Sequence, residues 1–264
     1  MNDIFSYYMG LSKFVAFGQT EVQEAIQALT AAAAKAQELI EKGTEWAKRC
    51  RGMGFPSFAG SLTQAPFDTI SDFLRGTRGA MLHMFRQPDK LIEATEKLLP
   101  IMLRLGLSAL ERGVPRAHIP LHKGLDGFMS EDQFKVFYWP TLKKLIEGLI
   151  EKQCTPIVFW EGNVESRLEI IGDIPRGKAI YGFERTDMFK AQEVLEEVVC
   201  LKGNVPLSML VSGTPDDIRA YCRRLIDRVG KGGGFIMDAS TVLDDARPEN
   251  LKAMVDFTRE YGVY

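Results

Sequence analysis

The sequence predicts an α/β protein with the fold of a TIM-type (β/α)8 barrel, shortened or incomplete at its N-terminus. The central observation is a run of four apolar residues, Ile157–Trp160, which follows a proline and stops at Glu161-Gly162. A short apolar run bounded by turn residues is typical of a parallel strand that is buried on both faces. A helical stretch, residues 134–152, precedes this strand, as a repeating βα unit requires.

Strands and helices alternate along the chain from residue 117 onward, and the loops between them are short. This alternation predicts a parallel sheet. The predicted strands are 56–62, 117–121, 157–160, 178–183, 199–202 and 232–237. Since a closed barrel needs eight strands, we expect an incomplete one. The sequence has no G-x-G-x-x-G segment, so a nucleotide-binding doubly wound fold is the weaker alternative.

The N-terminal part of the chain, about residues 1–54, is predicted to be mainly helical. Residues Glu21–Arg51 carry apolar side chains at helical spacing and a high density of alanine. The segment Met1–Gly18 is unusually apolar, and we expect it to cover an open barrel edge or to pack on a second subunit, which would make a homodimer. We interpret residues 1–264 as a single barrel domain that carries this helical segment.

Composition and charge exclude several classes of protein. A formal net charge of −2 and a pI near 6.0 give no electrostatic reason to expect nucleic-acid binding. The four cysteines are scattered without zinc-knuckle spacing, which favours a reducing compartment. The start Met-Asn-Asp-Ile lacks the basic region of a signal peptide, and no apolar run approaches the roughly 20 residues that span a bilayer. We therefore expect a cytoplasmic protein that binds neither nucleic acid nor membrane.

Polar or titratable residues follow the apolar run of each predicted strand from residue 117 onward. The carboxyl ends of barrel strands form the rim where chemistry takes place, because the interior is packed. We expect Glu161, His122 and Asp238 to be the catalytic residues at this rim. The expected substrate-binding residues are Asp126, Trp160, Asn163, Arg185 and Asn204.

Two of these residues have a purely structural alternative. A glutamate after a strand is commonly a solvated or capping residue, and Asp126 in a glycine-flanked loop would close an Asx turn. Beside an apolar wall of Phe159 and Trp160, however, Glu161 would have a raised pKa and could act as a general acid or base. His122 at a neighbouring strand end could ligate a metal or move a proton.

Several spaced motifs, in order over roughly Ala65–Tyr264, resemble those of the uroporphyrinogen decarboxylase superfamily. They are Ser130-Glu-Asp-Gln-Phe134 with Tyr138-Trp-Pro140, Phe159-Trp-Glu-Gly-Asn163, Gly203-Asn204-Val-Pro206, Gly213-Thr-Pro215, and Gly232-Gly-Gly-Phe-Ile236 through Pro248-Glu-Asn250. The resemblance implies the barrel fold. It also implies one of two activities, since the superfamily contains porphyrin decarboxylases and corrinoid-linked, cobalamin-dependent methyltransferases.

The sequence departs from both branches of that superfamily. The thiol-directed methyltransferases bind zinc through a His-x-Cys-Gly segment and a later cysteine. The matching positions here are Phe159, Glu161 and Thr241, so those zinc ligands are absent from the sequence. The decarboxylases use an N-terminal arginine-rich segment, for which this sequence starts too late, and a histidine near the last strand. This chain has no histidine after His122.

The resemblance favours a corrinoid-linked methyltransferase that moves a methyl group between a small-molecule donor and a corrinoid protein or another acceptor. Glu161 and His122 would bind a divalent metal such as zinc or move a proton at the reacting heteroatom, since a bare alkoxide or amide leaves poorly. The first alternative is a decarboxylase, a carboxy-lyase acting on a porphyrinogen-like polycarboxylate. The arginines that would clamp its carboxylates are Arg75, Arg78, Arg86 and Arg185. The second alternative is a non-catalytic barrel subunit.

Overall fold

The computed structural model describes residues 14–263. The chain forms two compact units, Met1–Ser57 and Phe58–Tyr264. The covering role predicted for the apolar segment Met1–Gly18 falls mainly on residues 1–13, which lie outside the described residues.

The first unit is dominated by one long helix, α1 (Thr20–Gly52), which follows a 3₁₀ turn at Val15–Gly18. The predicted helix over 21–51 is confirmed, and it continues through Gly43 because one interior glycine costs only about 1 kcal/mol. None of its residues is buried within the described chain. No helix among residues 14–263 combines the length and the apolarity that a bilayer span requires.

The second unit is built on a six-stranded sheet in the order β1-β2-β3-β4-β5-β6. The strands are β1 (Ser61–Leu62), β2 (Arg116–Leu121), β3 (Thr155–Trp160), β4 (Ile180–Phe183), β5 (Cys200–Lys202) and β6 (Phe235–Ile236). Every neighbouring pair of strands is parallel. This arrangement confirms the predicted parallel β/α barrel architecture.

Helices connect the successive strands, as the alternation in the sequence predicts, and a last helix follows β6. They are α2 (Pro66–Thr69), α3 (Thr77–Arg86), α4 (Pro88–Glu111), α5 (Glu131–Gln133), α6 (Trp139–Glu151), α7 (Leu168–Ile171), α8 (Met188–Leu195), α9 (Leu207–Ser212), α10 (Pro215–Leu225) and α11 (Pro248–Tyr261). Single π turns adjoin α2, α5 and α10, at Ile70–Leu74, Phe134–Tyr138 and Ile226–Gly230. Capping boxes start α5 at Ser130 and α10 at Thr214.

The hydrophobic core of the second unit lies on one face of the sheet. In β2 the residues Ala117, Ile119 and Leu121 are fully buried, whereas the alternate residues His118 and Pro120 are half-buried. Successive strand residues point to opposite faces, so this pattern separates a core face from an inner barrel face. The core face is rich in aromatic contacts, with Trp160 packed edge-on against Tyr181 and also against Phe134.

The sheet is open within residues 14–263, because β1 and β6 each pair along one side only. The predicted incomplete barrel is therefore what the described chain forms. Two apolar residues at these edges are solvent-exposed, Leu62 to 60% and Ile236 to 40%. A closed barrel would cover both with neighbouring strands.

Candidate active site

The structure brings His122 and Glu161 together at the carboxyl ends of β2 and β3. The last paired residues of these strands are Leu121 and Trp160, so His122 and Glu161 follow at adjacent positions of the rim. The His122 Nε2 atom lies 3.5 Å from Oε1 of Glu161. The gap is longer than an ordinary hydrogen bond. The side chains of both residues are partly exposed, so a small molecule can reach this pair.

Asp72 fixes the ring of His122 from the other side. Its Oδ2 atom lies 2.6 Å from Nδ1 of His122, and its Oδ1 atom lies 3.0 Å from the ammonium group of Lys123. Burial alone would raise the pKa of Asp72, but hydrogen bonds from His122, Lys123 and Ser71 outweigh it, and the pKa is lowered. An ionised carboxylate can only accept, so Nδ1 carries the proton and Nε2 is the atom that faces Glu161.

Asp68 holds the backbone at the end of β2. It accepts hydrogen bonds from the backbone N–H groups of His122 (2.9 Å) and Lys123 (3.1 Å), and from the hydroxyl of Tyr138 (2.6 Å). Asp68 is fully buried. Burial raises the pKa of Asp68 to about 6, although the hydrogen bonds from Tyr138 and His122 act in the opposite direction. This carboxyl group therefore positions His122 through its main chain.

The pKa values of the central pair are shifted upward. Burial alone would lower the pKa of His122, but the hydrogen bond to Asp72 and the charges of Glu161 and Asp68 outweigh it. Burial and the nearby charge of Glu184 raise the pKa of Glu161, while the His122 cation opposes the shift. Shifted carboxyl and imidazole groups at a barrel rim are typical of acid–base chemistry.

Glu184, after β4, supports the turn that carries Glu161. Its Oε2 atom accepts a hydrogen bond of 2.6 Å from the backbone N–H of Gly162. Gly162 has a φ of +79°, a conformation that residues with a Cβ atom rarely adopt. The turn after β3 is therefore fixed by a glycine and by a carboxylate from the neighbouring strand.

The third predicted catalytic residue, Asp238, takes part in a different ion pair. Its carboxylate binds the ammonium group of Lys202 and accepts a 2.8 Å hydrogen bond from the N–H of Ala239. The Lys202 ammonium lies over the rings of Phe58 (5.4 Å) and Phe159 (5.8 Å), on the inner face of the sheet. Among the ion pairs of residues 14–263, none joins Asp238 to His122.

Three of the predicted substrate-binding residues make hydrogen bonds within or between loops. Asp126 accepts a 2.8 Å hydrogen bond from the hydroxyl of Ser166, and its own N–H donates to the carbonyl of Asn163. The side chain of Asn163 accepts from the N–H of Glu165. Asn204 is buried and donates to the carbonyl of Thr186 at 2.8 Å.

The other two predicted substrate-binding residues lie in opposite environments. Trp160 is 1% exposed and lies on the core face of β3, whereas Phe159 lies on the inner face. The predicted apolar wall beside Glu161 therefore contains Phe159 but not Trp160, because neighbouring strand residues point to opposite sides. Arg185 is largely exposed, and its guanidinium lies 3.3 Å from the carboxylate of Glu184.

The predicted zinc site has too few ligands. Among residues 14–263, no three histidine, cysteine, aspartate or glutamate side chains converge as a metal site would require. His122 and Glu161 supply two donors, and Asp72 is already engaged by Nδ1 of His122. Zinc sites in enzymes normally have three protein ligands, so this donor set does not fit a resident zinc ion, and we derive no step through one.

Four residues that shape the site were not predicted from the sequence: Asp68, Asp72, Lys123 and Lys202. The first two had a detectable signal, because they are four residues apart on a helical stretch that follows β1 and must therefore lie beside β2. The π turn at Ile70–Leu74 carries Asp72, and such turns are frequent at functional sites.

This geometry defines a β/α-barrel protein with an acid–base pair on two adjacent strand ends. Residues 57–261 match the sequence profile of the uroporphyrinogen decarboxylase (URO-D) family, and the chain belongs to that family. The predicted superfamily is thus confirmed.

Individual relatives are distant and longer than this chain. The chain is 26% identical over 185 residues to "Uroporphyrinogen decarboxylase" of Chlorobium phaeobacteroides, covering 68% of this chain and 52% of that protein. It is 23% identical over 182 residues to the protein of the same name from Chlorobaculum parvum, covering 67% and 51%. The chain therefore spans about half the length of these curated relatives.

A solved structure described as a methyltransferase from Methanosarcina mazei has a similar fold. It superposes with a TM-score of 0.66 and 21% sequence identity, covering 76% of this chain and 58% of that chain. At this identity the likeness supports the fold of the chain.

Proposed function

We propose that this chain carries the acid–base site of a methyltransferase, which moves a methyl group between a small-molecule donor and a corrinoid protein or another acceptor. One observation carries the proposal: His122 is held by Asp72 at Nδ1 and points Nε2 at Glu161 across a 3.5 Å gap. The methyltransferase with a similar fold is a further reason to prefer this chemistry.

The residues of this chain would handle the proton. When a methyl group leaves an amine or ether, the heteroatom left behind gains negative charge and is a poor leaving group unless it is protonated. Protonated His122 donates from Nε2 to that heteroatom as the carbon–heteroatom bond breaks. Glu161 orients the cation before transfer, and in the reverse direction neutral His122 removes the same proton.

The acceptor would come from a partner. A corrinoid held by another protein would supply the cobalt centre that takes up the methyl group. The exposed fractions of the His122 and Glu161 side chains, 31% and 38%, leave the pair open to a group presented from outside the barrel. A divalent metal is not needed for this proposal.

A decarboxylase is the second candidate, because the curated relatives carry the name uroporphyrinogen decarboxylase. Loss of carbon dioxide leaves a carbanion that needs a proton, which His122 could supply from the same position. Of the arginines considered as carboxylate clamps, Arg75 is instead bonded to His83 at 2.8 Å, and Arg185 lies beside Glu184.

The variants His122→Gln and Glu161→Gln test the proposal. Each keeps the approximate shape of its side chain and removes the titrating group, so we expect the methyl-transfer rate to fall about 10²–10⁴-fold for His122→Gln. The rate would be followed by the absorbance of a cobalamin supplied in solution, with a panel of methylated amines, ethers and thioethers. Thermal unfolding should show both variants folded.

The pH profile separates an acid–base role from a merely structural one. Because Glu161 raises the pKa of His122, Glu161→Gln should shift the alkaline limb of the rate profile to lower pH. Glu197→Gln removes the same charge from an exposed ion pair with Arg176, so it serves as the matched control and should leave the profile unchanged. Undiminished transfer in His122→Gln would contradict the proposal. Release of carbon dioxide from a polycarboxylate without methyl transfer would favour the second candidate.

A further inference from the structure

A cleft opens beside His122 and Glu161, at the carboxyl ends of β4, β5 and β6. It has a volume of about 770 Å³. We call it the arginine cleft, after Arg185 and Arg224 in its wall; Tyr221, Asn204, Ser240 and Glu184 also line it. Glu184 connects the two regions, because it lines the cleft while it binds the N–H of Gly162 next to Glu161.

The carboxylates of the arginine cleft already have partners. Glu165 lies 2.7 Å from the ammonium group of Lys190. Asp187 caps α8 by accepting from the N–H groups of Phe189 and Lys190. Glu184 accepts from Gly162 and pairs with Arg185. The negative charges in the wall are therefore largely compensated within the chain.

Arg224 has no such compensation. Its guanidinium carbon lies 5.1 Å from the ring centre of Phe189 and 6.0 Å from that of Tyr221. Within residues 14–263 this guanidinium makes neither an ion pair nor a hydrogen bond, so stacking alone positions it. A guanidinium carries five N–H donors in a planar fork that matches a carboxylate or phosphate group.

Hydroxyl groups in the same wall supply weaker donors. Ser240 is 5% exposed, and its Oγ atom accepts a 3.1 Å hydrogen bond from the N–H of Leu207. Its own hydroxyl proton is then free to point elsewhere. The hydroxyl of Tyr221 is engaged, since it donates to Asn204 at 3.3 Å. Arg224 and Ser240 are therefore two groups of the wall that have donors left to offer.

We propose that the arginine cleft binds an oxyanion group of the substrate, a carboxylate or a phosphoryl group, through Arg224 with support from Ser240 and Arg185. This inference rests on the proposed function in taking His122 and Glu161 as the place where the bound molecule reacts. It adds the substrate class: a small molecule with the reacting group at one end and an anion at the other.

The test measures anion binding by the whole chain rather than turnover. Inorganic phosphate and acetate are titrated separately at constant ionic strength, and the arginine Nε–H signals are followed by NMR. We expect saturable shifts at Arg224, and in Arg224→Gln an affinity that is weaker by roughly tenfold or more. Tighter binding of phosphate assigns a phosphoryl group, and tighter binding of acetate assigns a carboxylate.

Arg228→Gln is the matched control. The guanidinium of Arg228 stacks on the same ring of Phe189, at 4.4 Å, but Arg228 does not line the cleft. The variant loses the same charge and a similar contact, and it should keep the wild-type affinity. Equal losses in both variants, or no saturable shift in the wild-type chain, would overturn the inference and leave Arg224 as a solvated surface cation.

A separate measurement distinguishes failure of this inference from failure of the proposed function. His122→Gln and Glu161→Gln should bind the anion with the wild-type affinity, because neither residue lines the arginine cleft. If the anion binds while methyl transfer is absent, the proposed function fails and the anion site stands. If transfer occurs while Arg224→Gln binds the anion normally, the inference about the cleft fails alone.

Discussion

The contact between His122 and Asp72 gives the residue at the centre of the site its unusual proton affinity. The variant Asp72→Asn removes the negative charge that raises the pKa of His122 and leaves only a neutral amide oxygen as acceptor, so this pKa should fall. An NMR titration of the imidazole ring measures the pKa of His122 directly. The chain has only three histidines, so their ring signals are few enough to assign.

Asp216→Asn is a suitable control for that titration. Asp216 is 93% exposed and pairs with Arg219 on the surface of α10, so the variant changes the net charge equally without touching the site. The pKa of His122 should be the same as in the wild-type chain. A pKa unaltered by Asp72→Asn would show that the 2.6 Å contact has no energetic weight.

Asp68 should leave a signature in the pH dependence of stability. Its folded-state pKa of about 6 is higher than its unfolded value, so the folded chain holds the proton where the unfolded chain has released it. Stability contributed by this group is therefore lost as the pH rises from about 4 to 6, by up to about 3 kcal/mol. Asp68→Asn should remove this slope from the free energy of unfolding.

Urea unfolding at several pH values between 4 and 7 measures that slope. Asp132→Asn, at an exposed position of α5, should keep the wild-type slope. The difference between the two variants isolates Asp68 from His122 and Asp72, which titrate in both. Identical slopes would mean that the buried carboxyl group does not hold its proton in the folded chain.

At the level of elements, the loop between β2 and α5 depends on one buried arginine. The guanidinium of Arg167 donates to the carbonyls of Gly124 and Met129, and lies 4.7 Å from the ring centre of Phe134. The side chain of Arg167 is 1% exposed, and its Nε atom lies 3.4 Å from Asp126. This residue ties the loop that begins at His122 to the turn before α7.

Arg167→Met keeps the apolar volume but leaves two buried carbonyl groups without donors, which should cost about 3 kcal/mol of unfolding free energy. Denaturant unfolding gives the value. Arg176→Met removes an ion pair with Glu197 whose two side chains are more than two-thirds exposed, and should change stability by less than about 0.5 kcal/mol. If Arg167→Met lowered the unfolding free energy by an equally small amount, the structural role of Arg167 would be contradicted.

The sequence was sufficient to predict the main elements, because their signals are local. The apolar run at Ile157–Trp160 and the capping residues Ser130 and Thr214 each specify an element through neighbours in the chain. The strand β1 was harder to predict, because it is only two residues long and so short a segment shows no clear periodicity.

The polar partners of the site could not be predicted in the same way. The contact between Asp72 and His122 joins residues 50 positions apart, and the contact between Asp68 and Tyr138 joins residues 70 apart. Such contacts depend on packing between elements, which neither periodicity nor capping encodes. Asp126 and Asn204 were predicted to bind substrate, and their hydrogen bonds to nearby loops were likewise not visible in the sequence.

For the molecule as a whole, the exposed helix α1 predicts self-association. Its apolar residues include a series spaced alternately by four and three positions: Val22, Ile26, Leu29, Ala33, Ala36 and Ile40. This spacing is typical of the apolar positions that form the seam of a coiled coil. Leu29 is 71% and Ile40 64% exposed, so a second copy of the helix would remove considerable apolar surface from water.

We therefore expect a dimer that the double change Leu29→Glu and Ile40→Glu dissociates, as measured by analytical ultracentrifugation over a range of concentrations. The change Glu38→Gln on the opposite, charged face of α1 should leave the association constant unaltered. A wild-type chain that sediments as a monomer at every concentration would contradict this prediction.

The three tryptophans make the two units spectroscopically distinct. Trp46 on α1 is 60% exposed, whereas Trp139 and Trp160 in the second unit are 7% and 1% exposed. Iodide should quench the long-wavelength emission of Trp46 and spare the short-wavelength emission of the other two. Trp160 immediately precedes Glu161, so the unquenched band reports on the integrity of the site while the quenched band reports on α1, without any added label.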